Sequence, residues 1–272
     1  MLKKRYWFLI SFLCLIIAGF AWFFYPQMKI YWIKSHSAAP VTTKDKTNVT
    51  YIDHLKNLKK PTIRHLILGD SVAKGKGSTD GGFAAIASRQ LADLTGKKVL
   101  VDNQGVSGFT SADLLQFIQG RLLKEKIQNA DLITINIGGN DLVKTALKDG
   151  PVEAIQHYQT VKENYAEHLD QIFNFIRKEN PKAIIVTNEL YNAIDSDESF
   201  YPATKRLLSD WNLIAYETAA DYMPTVVIPS SEVLTTEDRK KWIYDSIHPN
   251  ELGHRRIANA MIKILEIPFS KQ

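Results

Sequence analysis

Apolar positions along the 272-residue chain come in distinct textures. Residues 6–25, YWFLISFLCLIIAGFAWFFY, run for twenty positions without a charge. A helix of that length, rising about 1.5 Å per residue, covers the roughly 30 Å hydrocarbon core of a bilayer. Residues 35–60 are mostly polar, hold no sustained apolar period, and read as a tether. From there, short apolar runs near 63–68 (IRHLIL), 98–102 (KVLVD), 131–137 (DLITINI), 183–188 (AIIVTN) and 225–228 (TVVI) alternate with helical patterns. The helices fall near 82–94, 111–127, 152–179, 200–220 and 250–265. Apolar strands separated by amphipathic helices require crossover connections, hence a parallel sheet covered on both faces. The pattern predicts a transmembrane segment within 1–34, a linker over 35–60, and one α/β domain over 61–272: a three-layer α/β/α sandwich with about five parallel strands.

Charge refines this picture. The net charge is +5, but residues 1–34 hold Lys3, Lys4, Arg5, Lys29 and Lys34 and no acid, so the remainder is balanced at 29 basic and 29 acidic residues. A neutral domain lacks the basic footprint of a nucleic-acid binder. The apolar stretch is longer than the core of a cleaved signal peptide, and the first small-residue cluster, SHSAAP at 35–40, lies far downstream. Cys14 follows Phe12 and Leu13 rather than the small residues of a lipoprotein signal. The stretch reads as a retained anchor, with secretion after signal-peptide cleavage as the alternative. Lys3, Lys4 and Arg5 hold the amino terminus in the cytoplasm, although Lys29 and Lys34 make the contrast modest. Trp22, Phe23, Phe24 and Tyr25, then Tyr31 and Trp32, suit an interfacial belt, placing the domain outside the cell membrane. Cys14 is the single cysteine, so no intrachain disulfide can form.

The chemistry concentrates at strand ends. The first domain strand runs into Gly69-Asp70-Ser71, the second into NQGVSGFT (103–110), the third into IGGND (137–141), and DSIHP (245–249) precedes the last helix. The carboxyl edge of an open α/β sheet is where ligands bind. A serine needs a histidine to take its proton, and the histidine needs a carboxylate to hold its tautomer and offset its charge. Ser71 is the candidate nucleophile, His248 the base and Asp245 its orienter. An oxyanion needs donors, and the Ser71 N–H, the Gly108 N–H and the Asn140 amide are the candidates. Taken singly, each motif reads equally as an ordinary turn or helix cap; Asn250 is a natural N-cap. Asp70 and Asp141 are expected to hold their loops by hydrogen bonds, and Lys74 and Lys76 to be solvated. The remaining histidines, His36, His54, His65, His157, His168 and His254, stand singly without metal-ligand spacing, so no metal or cofactor is expected. The Gly-X-Ser-X-Gly elbow is absent, since Ala73 stands two after Ser71, and GDSVAKGKGST is not a phosphate-binding loop.

These four blocks, in this order, resemble the SGNH, or GDSL-type, hydrolases over residues 63 to about 265. In that resemblance Gly69-Asp70-Ser71 is the first block, with Val72 where the family name has leucine. Asn103 to Gly108 is the second, with Gly108 in the oxyanion position; Gly138-Gly139-Asn140-Asp141 is the third, and Asp245 to His248 the last. The resemblance implies a flavodoxin-like fold and metal-independent hydrolysis of carboxylic esters or thioesters through an acyl-enzyme. Near a membrane, the reachable substrates are lipid acyl esters or O-acetyl groups on envelope glycans. Acyl transfer to another acceptor uses the same residues, and a non-catalytic binding module is the rival from another class. The aromatics Tyr191, Phe200, Tyr201, Trp211, Tyr216, Tyr222 and Trp242 are candidates for a cleft wall, with helix packing the plainer reading for Trp211. A lipase predicts an apolar groove and a glycan esterase a shallow polar one.

Overall fold

The computed structural model describes residues 2–37, 49–149, 151–199 and 201–269. Five strands, β1 (Thr62–Gly69), β2 (Lys98–Asn103), β3 (Leu132–Asn136), β4 (Ile184–Asn188) and β5 (Thr225–Ile228), form one sheet in the order β2-β1-β3-β4-β5. Every pairing is parallel. β3, β4 and β5 are buried along their whole length, which is why they read as continuous apolar runs. β2 lies at an edge and stays largely exposed.

The described residues form, besides the sheet, the α-helices α1 (Leu2–Ser37), α2 (Tyr51–Lys56), α3 (Ser71–Lys74), α4 (Gly82–Thr95), α5 (Ser111–Ile118), α6 (Arg121–Asn129), α7 (Gly139–Asp149), α8 (Pro151–Glu179), α9 (Tyr201–Asp221), α10 (Ser230–Val233), α11 (Arg239–Trp242) and α12 (Glu251–Leu265). One apolar core lies between the sheet and α2, α4 and α12; a second lies between the sheet and α5, α6 and α8. The expected sandwich of about five parallel strands is therefore present. The helical stretch expected over 111–127 is two helices, because Gly120 breaks the first and caps the second. α7 and the short helices between β5 and α12 had no counterpart in the sequence pattern.

The last part of the stretch expected as linker, 35–60, packs on the domain. Residues 38–48 lie outside the described residues, but Thr50 opens α2 with a reciprocal cap: its hydroxyl accepts from the Asp53 N–H while the Asp53 carboxylate accepts from Thr50. Tyr51, Ile52 and Leu55 are buried in the first core. Phe269 stacks on His54 and donates its N–H to the Val49 carbonyl at 2.8 Å, so this segment is clasped to the carboxyl end of the chain.

The apolar helix is also longer than the uncharged stretch. α1 runs 36 residues, and its side chains from Phe12 to Tyr25 are exposed. From Pro26 onward one face is covered: Ile33 is buried against Leu213, Ala215, Tyr216 and Ala219 of α9 and Val227 of β5. Gln27 donates to Ser209 at 2.9 Å, Lys29 pairs with Glu217, and Lys34 pairs with Glu232 at 2.7 Å.

Candidate active site

The strand order reverses direction between β1 and β3, which opens a crevice at their carboxyl ends. Gly69 closes β1 at φ +131°, with its α-carbon so near β3 that a β-carbon there would sit 1.9 Å from the Asn136 carbonyl oxygen. Only glycine fits. The Asp70 N–H then donates to that same carbonyl at 3.0 Å, and the chain turns into α3 with Ser71 as its first residue.

Asp70 sets this turn. Its Oδ1 accepts from the Val72 N–H at 2.9 Å and from Asn136 Nδ2 at 2.8 Å, and Asn136 in turn accepts from Asn188 at the end of β4. A polar ladder thus ties three strand ends beneath Ser71. Burial pushes the Asp70 carboxyl up to about 6, against the opposing pull of these hydrogen bonds.

The loop before α12 supplies the partners. It is closed by the Tyr244 N–H donating to the His248 carbonyl at 2.8 Å, and by Asn250, which caps α12 through Gly253 N–H and donates to the Lys241 carbonyl. Inside it the Asp245 carboxylate accepts from the Ile247 and His248 N–H groups at 3.0 and 2.9 Å. It also stands 2.8 Å from His248 Nδ1. The other ring nitrogen, Nε2, is 2.7 Å from Ser71 Oγ. With Nδ1 protonated toward Asp245, Nε2 is the acceptor and the serine hydroxyl the donor. Burial alone raises the Asp245 carboxyl, but the two backbone donors, the imidazole and Lys76 outweigh it and hold it far below the usual carboxylate range. Lys76 Nζ stands 3.2 Å from Asp245 Oδ2, so this exposed lysine is also a partner of the carboxylate.

The candidate donors converge less completely. Asn140, in the first turn of α7, spends one amide hydrogen on the Phe109 carbonyl at 2.8 Å. That bond joins the third block to the second and leaves the other hydrogen of Nδ2 for the cleft that Asn140 lines. Gly108, at φ +87°, has no atom within 4 Å of where a β-carbon would stand, so its backbone faces open space. It is not among the residues that line the cleft. Asp141 accepts from the Ser111 N–H and hydroxyl, and Ser111 also meets His168 at 2.9 Å, so this acid holds the start of α5.

A cleft of about 330 Å³ opens beside Ser71 and His248. Its wall is mainly aliphatic: Leu142 and Val143 of α7, Val161 of α8, Ile194, Leu207 and Leu208 of α9, and Ile247. Of the aromatics singled out in the sequence, Tyr191 lines it and hydrogen-bonds the Ile247 carbonyl at 2.8 Å. Trp211 stacks on Tyr165 in the core, Trp242 is buried against Tyr191, and Tyr216 faces α1. Tyr222 packs on Phe173 away from the cleft, Tyr201 is not in the wall, and Phe200 lies outside the described residues. Tyr158 was not singled out in the sequence, where the helical apolar period of α8 is its nearest signal; Ile247 lies within the DSIHP block without having been assigned a role, and Lys76 was expected only as a solvated charge.

Comparison with known proteins follows this geometry. Residues 67–256 match the model of the GDSL-like Lipase/Acylhydrolase family. The uncharacterized protein YpmR of Bacillus subtilis (strain 168) is 26% identical over 212 residues, covering 75% of this chain and 83% of that protein. The spore germination lipase LipC of Bacillus licheniformis is 25% identical over 211 residues, covering 74% and 95%. Among solved structures, the lipase Lip_vut3 from a goat rumen metagenome superposes with a TM-score of 0.62 at 19% identity, covering 74% of this chain and 97% of that one. Axe2, an acetylxylan esterase from Geobacillus stearothermophilus, gives 0.56 at 20% identity, covering 77% and 97%. With the family match spanning all four sequence blocks, the chain belongs to the GDSL-like lipase/acylhydrolase family and is a carboxylic ester hydrolase.

Proposed function

We propose that this protein is a membrane-anchored acyl-ester hydrolase working through an acyl-enzyme on Ser71. The observation that carries the reading is Ser71 Oγ at 2.7 Å from His248 Nε2, at the mouth of an aliphatic cleft. Ser71 Oγ bonds to the ester carbonyl carbon as its proton passes to His248 Nε2, and Asp245 offsets the imidazolium. The Ser71 N–H, Gly108 N–H and Asn140 Nδ2 stabilise the oxyanion. Collapse breaks the bond to the alcohol, which takes the proton from His248. Water, deprotonated by the same nitrogen, then releases the carboxylic acid and restores the serine.

The cleft favours an acyl chain over an acetyl group. Each buried methylene contributes about 0.8 kcal/mol, so a chain of several carbons in this wall gains several kcal/mol that acetyl cannot. This supports a lipid ester ahead of an O-acetyl glycan. The anchor reading rests on α1, a helix long and apolar enough to cross a membrane, whose uncharged residues 6–25 precede the part that packs on the domain.

The test compares the full chain in detergent with Ser71→Ala on p-nitrophenyl esters from acetyl to decanoyl. The expected result is turnover that rises from acetyl to medium chains and falls by about 10⁴-fold or more in the variant. Undiminished turnover in Ser71→Ala overturns the nucleophile, and a preference for acetyl overturns the acyl-chain reading.

A further inference from the structure

The anchor helix and the cleft share a wall. α1 and α9 run side by side in the same direction: the Arg206 guanidinium donates to the Phe23 carbonyl at 2.6 Å, Gln27 meets Ser209, Ile33 packs among Leu213 and Tyr216, and Lys29 pairs with Glu217. Arg206 also lies over the Trp22 ring at 4.8 Å. The second turn of α9 is therefore level with the aromatic turn of α1, and the α1 side chains from Phe12 to Ala21 are exposed.

The same end of α9 builds the cleft. Ala203, Thr204, Leu207 and Leu208 line it, while Arg206 and Ser209, on the neighbouring face of the helix, hold α1. Exposure along α1 changes at Pro26, the first buried residue after an exposed run from Phe12 to Tyr25. With the hydrocarbon core filled by residues 6–25, Trp22 to Tyr25 and the Arg206 guanidinium sit at the depth where aromatic and basic side chains meet headgroups. Ala203 to Leu208 flank Arg206 on α9, so this part of the cleft wall lies at the same level along α1.

We propose that the cleft takes ester-linked lipid directly from the leaflet on which the domain rests, the anchor acting as a rigid strut that fixes the height and tilt of the site rather than as a loose tether. An acyl chain then passes from bilayer to aliphatic wall without crossing water, which removes the desolvation barrier that a lipid in another membrane must meet. Water is the sole co-reactant. The inference rests on the retained-anchor and acyl-ester readings above.

The experiment places the full chain in vesicles of equal parts phosphatidylcholine and phosphatidylglycerol. A phosphatidylglycerol with a fluorogenic acyl chain is supplied either in the same vesicles or in separate protein-free ones, with p-nitrophenyl butyrate as soluble control. A second chain carries a flexible glycine-serine spacer of about eight residues between Tyr25 and Pro26, which leaves residues 26–37 docked on the domain. The expected result is hydrolysis of same-vesicle lipid at least about tenfold faster than separate-vesicle lipid. The spacer should erase most of that advantage while butyrate turnover stays unchanged. Equal rates on the two lipid pools, or a spacer chain as fast on same-vesicle lipid as its parent, overturns the strut while leaving the hydrolase standing. Absence of turnover on butyrate as well as lipid overturns the acyl-ester reading itself.

Discussion

Asp70 is an acid almost wholly withdrawn from water, and its cost has a sign. An aspartate in an unfolded chain titrates near 3.9, whereas burial lifts Asp70 to about 6 in the folded protein. Between those values the folded state holds a proton that the unfolded chain has released. Stability from this group is therefore full at the acidic end and lost as pH rises toward about 6, a difference of about 3 kcal/mol. Asp70→Asn keeps the acceptor, since Val72 N–H and Asn136 Nδ2 both bond Oδ1. Urea unfolding of the full chain in detergent should show the variant gaining on the parent by up to about 3 kcal/mol between pH 4 and pH 7; parallel stability curves would mean the carboxyl is not desolvated. Asn140 carries a second residue-level expectation. Because one amide hydrogen is committed to Phe109, the other is aimed rather than free to swing, and Asn140→Ala should lower kcat by about 10² to 10³ with little change in KM. A parent-like kcat would remove Asn140 from the oxyanion site.

At the scale of elements, the cleft belongs to helices that stand on the sheet's carboxyl edge. α7, α8 and α9 each contribute one apolar face, so filling that space changes which chain length is accepted and leaves the Ser71–His248 pair in place. Leu207→Trp occupies the room of roughly three methylenes, worth about 2.4 kcal/mol. The ratio of kcat/KM for decanoyl over acetyl ester should fall by about 50-fold while the acetyl value stays within a few-fold. An unchanged ratio would place the acyl chain elsewhere. What the hydropathy pattern made legible, and what it hid, also divides by element. Strands β1, β3, β4 and β5 could be read because burial on both faces fills most of their positions with apolar side chains. α7 was hidden because it opens on Gly139 and Asn140, residues that read as a loop. The break at Gly120 was hidden because the apolar period resumes on its far side. Ser71, Asp245, His248 and Asn140 were legible as short blocks that the topology collects, whereas Lys76 and the Asn136–Asn188 ladder have no spacing rule and emerge only from the fold.

At the scale of the whole molecule, the two ends of the domain hold each other. α2 offers the core only Tyr51, Ile52 and Leu55, too few to mark a helix by period, although Thr50 and Asp53 three apart are its visible start. Those side chains pack with Phe269, whose ring meets Tyr51 edge-on at 4.9 Å, and the Tyr51 N–H reaches the Ile267 carbonyl. Burying one such side chain contributes about 1.5 to 3 kcal/mol, so cutting the chain at 61 opens a hole in the first core worth several kcal/mol after the ordering of α2 is subtracted. For a domain of this size, each kcal/mol shifts Tm by about 2 to 4 °C. A fragment of residues 49–272 should unfold cooperatively, and one of residues 61–272 should melt at least about 10 °C lower or fail to stay soluble. Equal melting of the two would return α2 to the expected linker. A lower Tm for the shorter fragment makes α2 a structural part of the domain, because its three buried side chains and the Phe269 clasp then contribute to the first core as the contacts require.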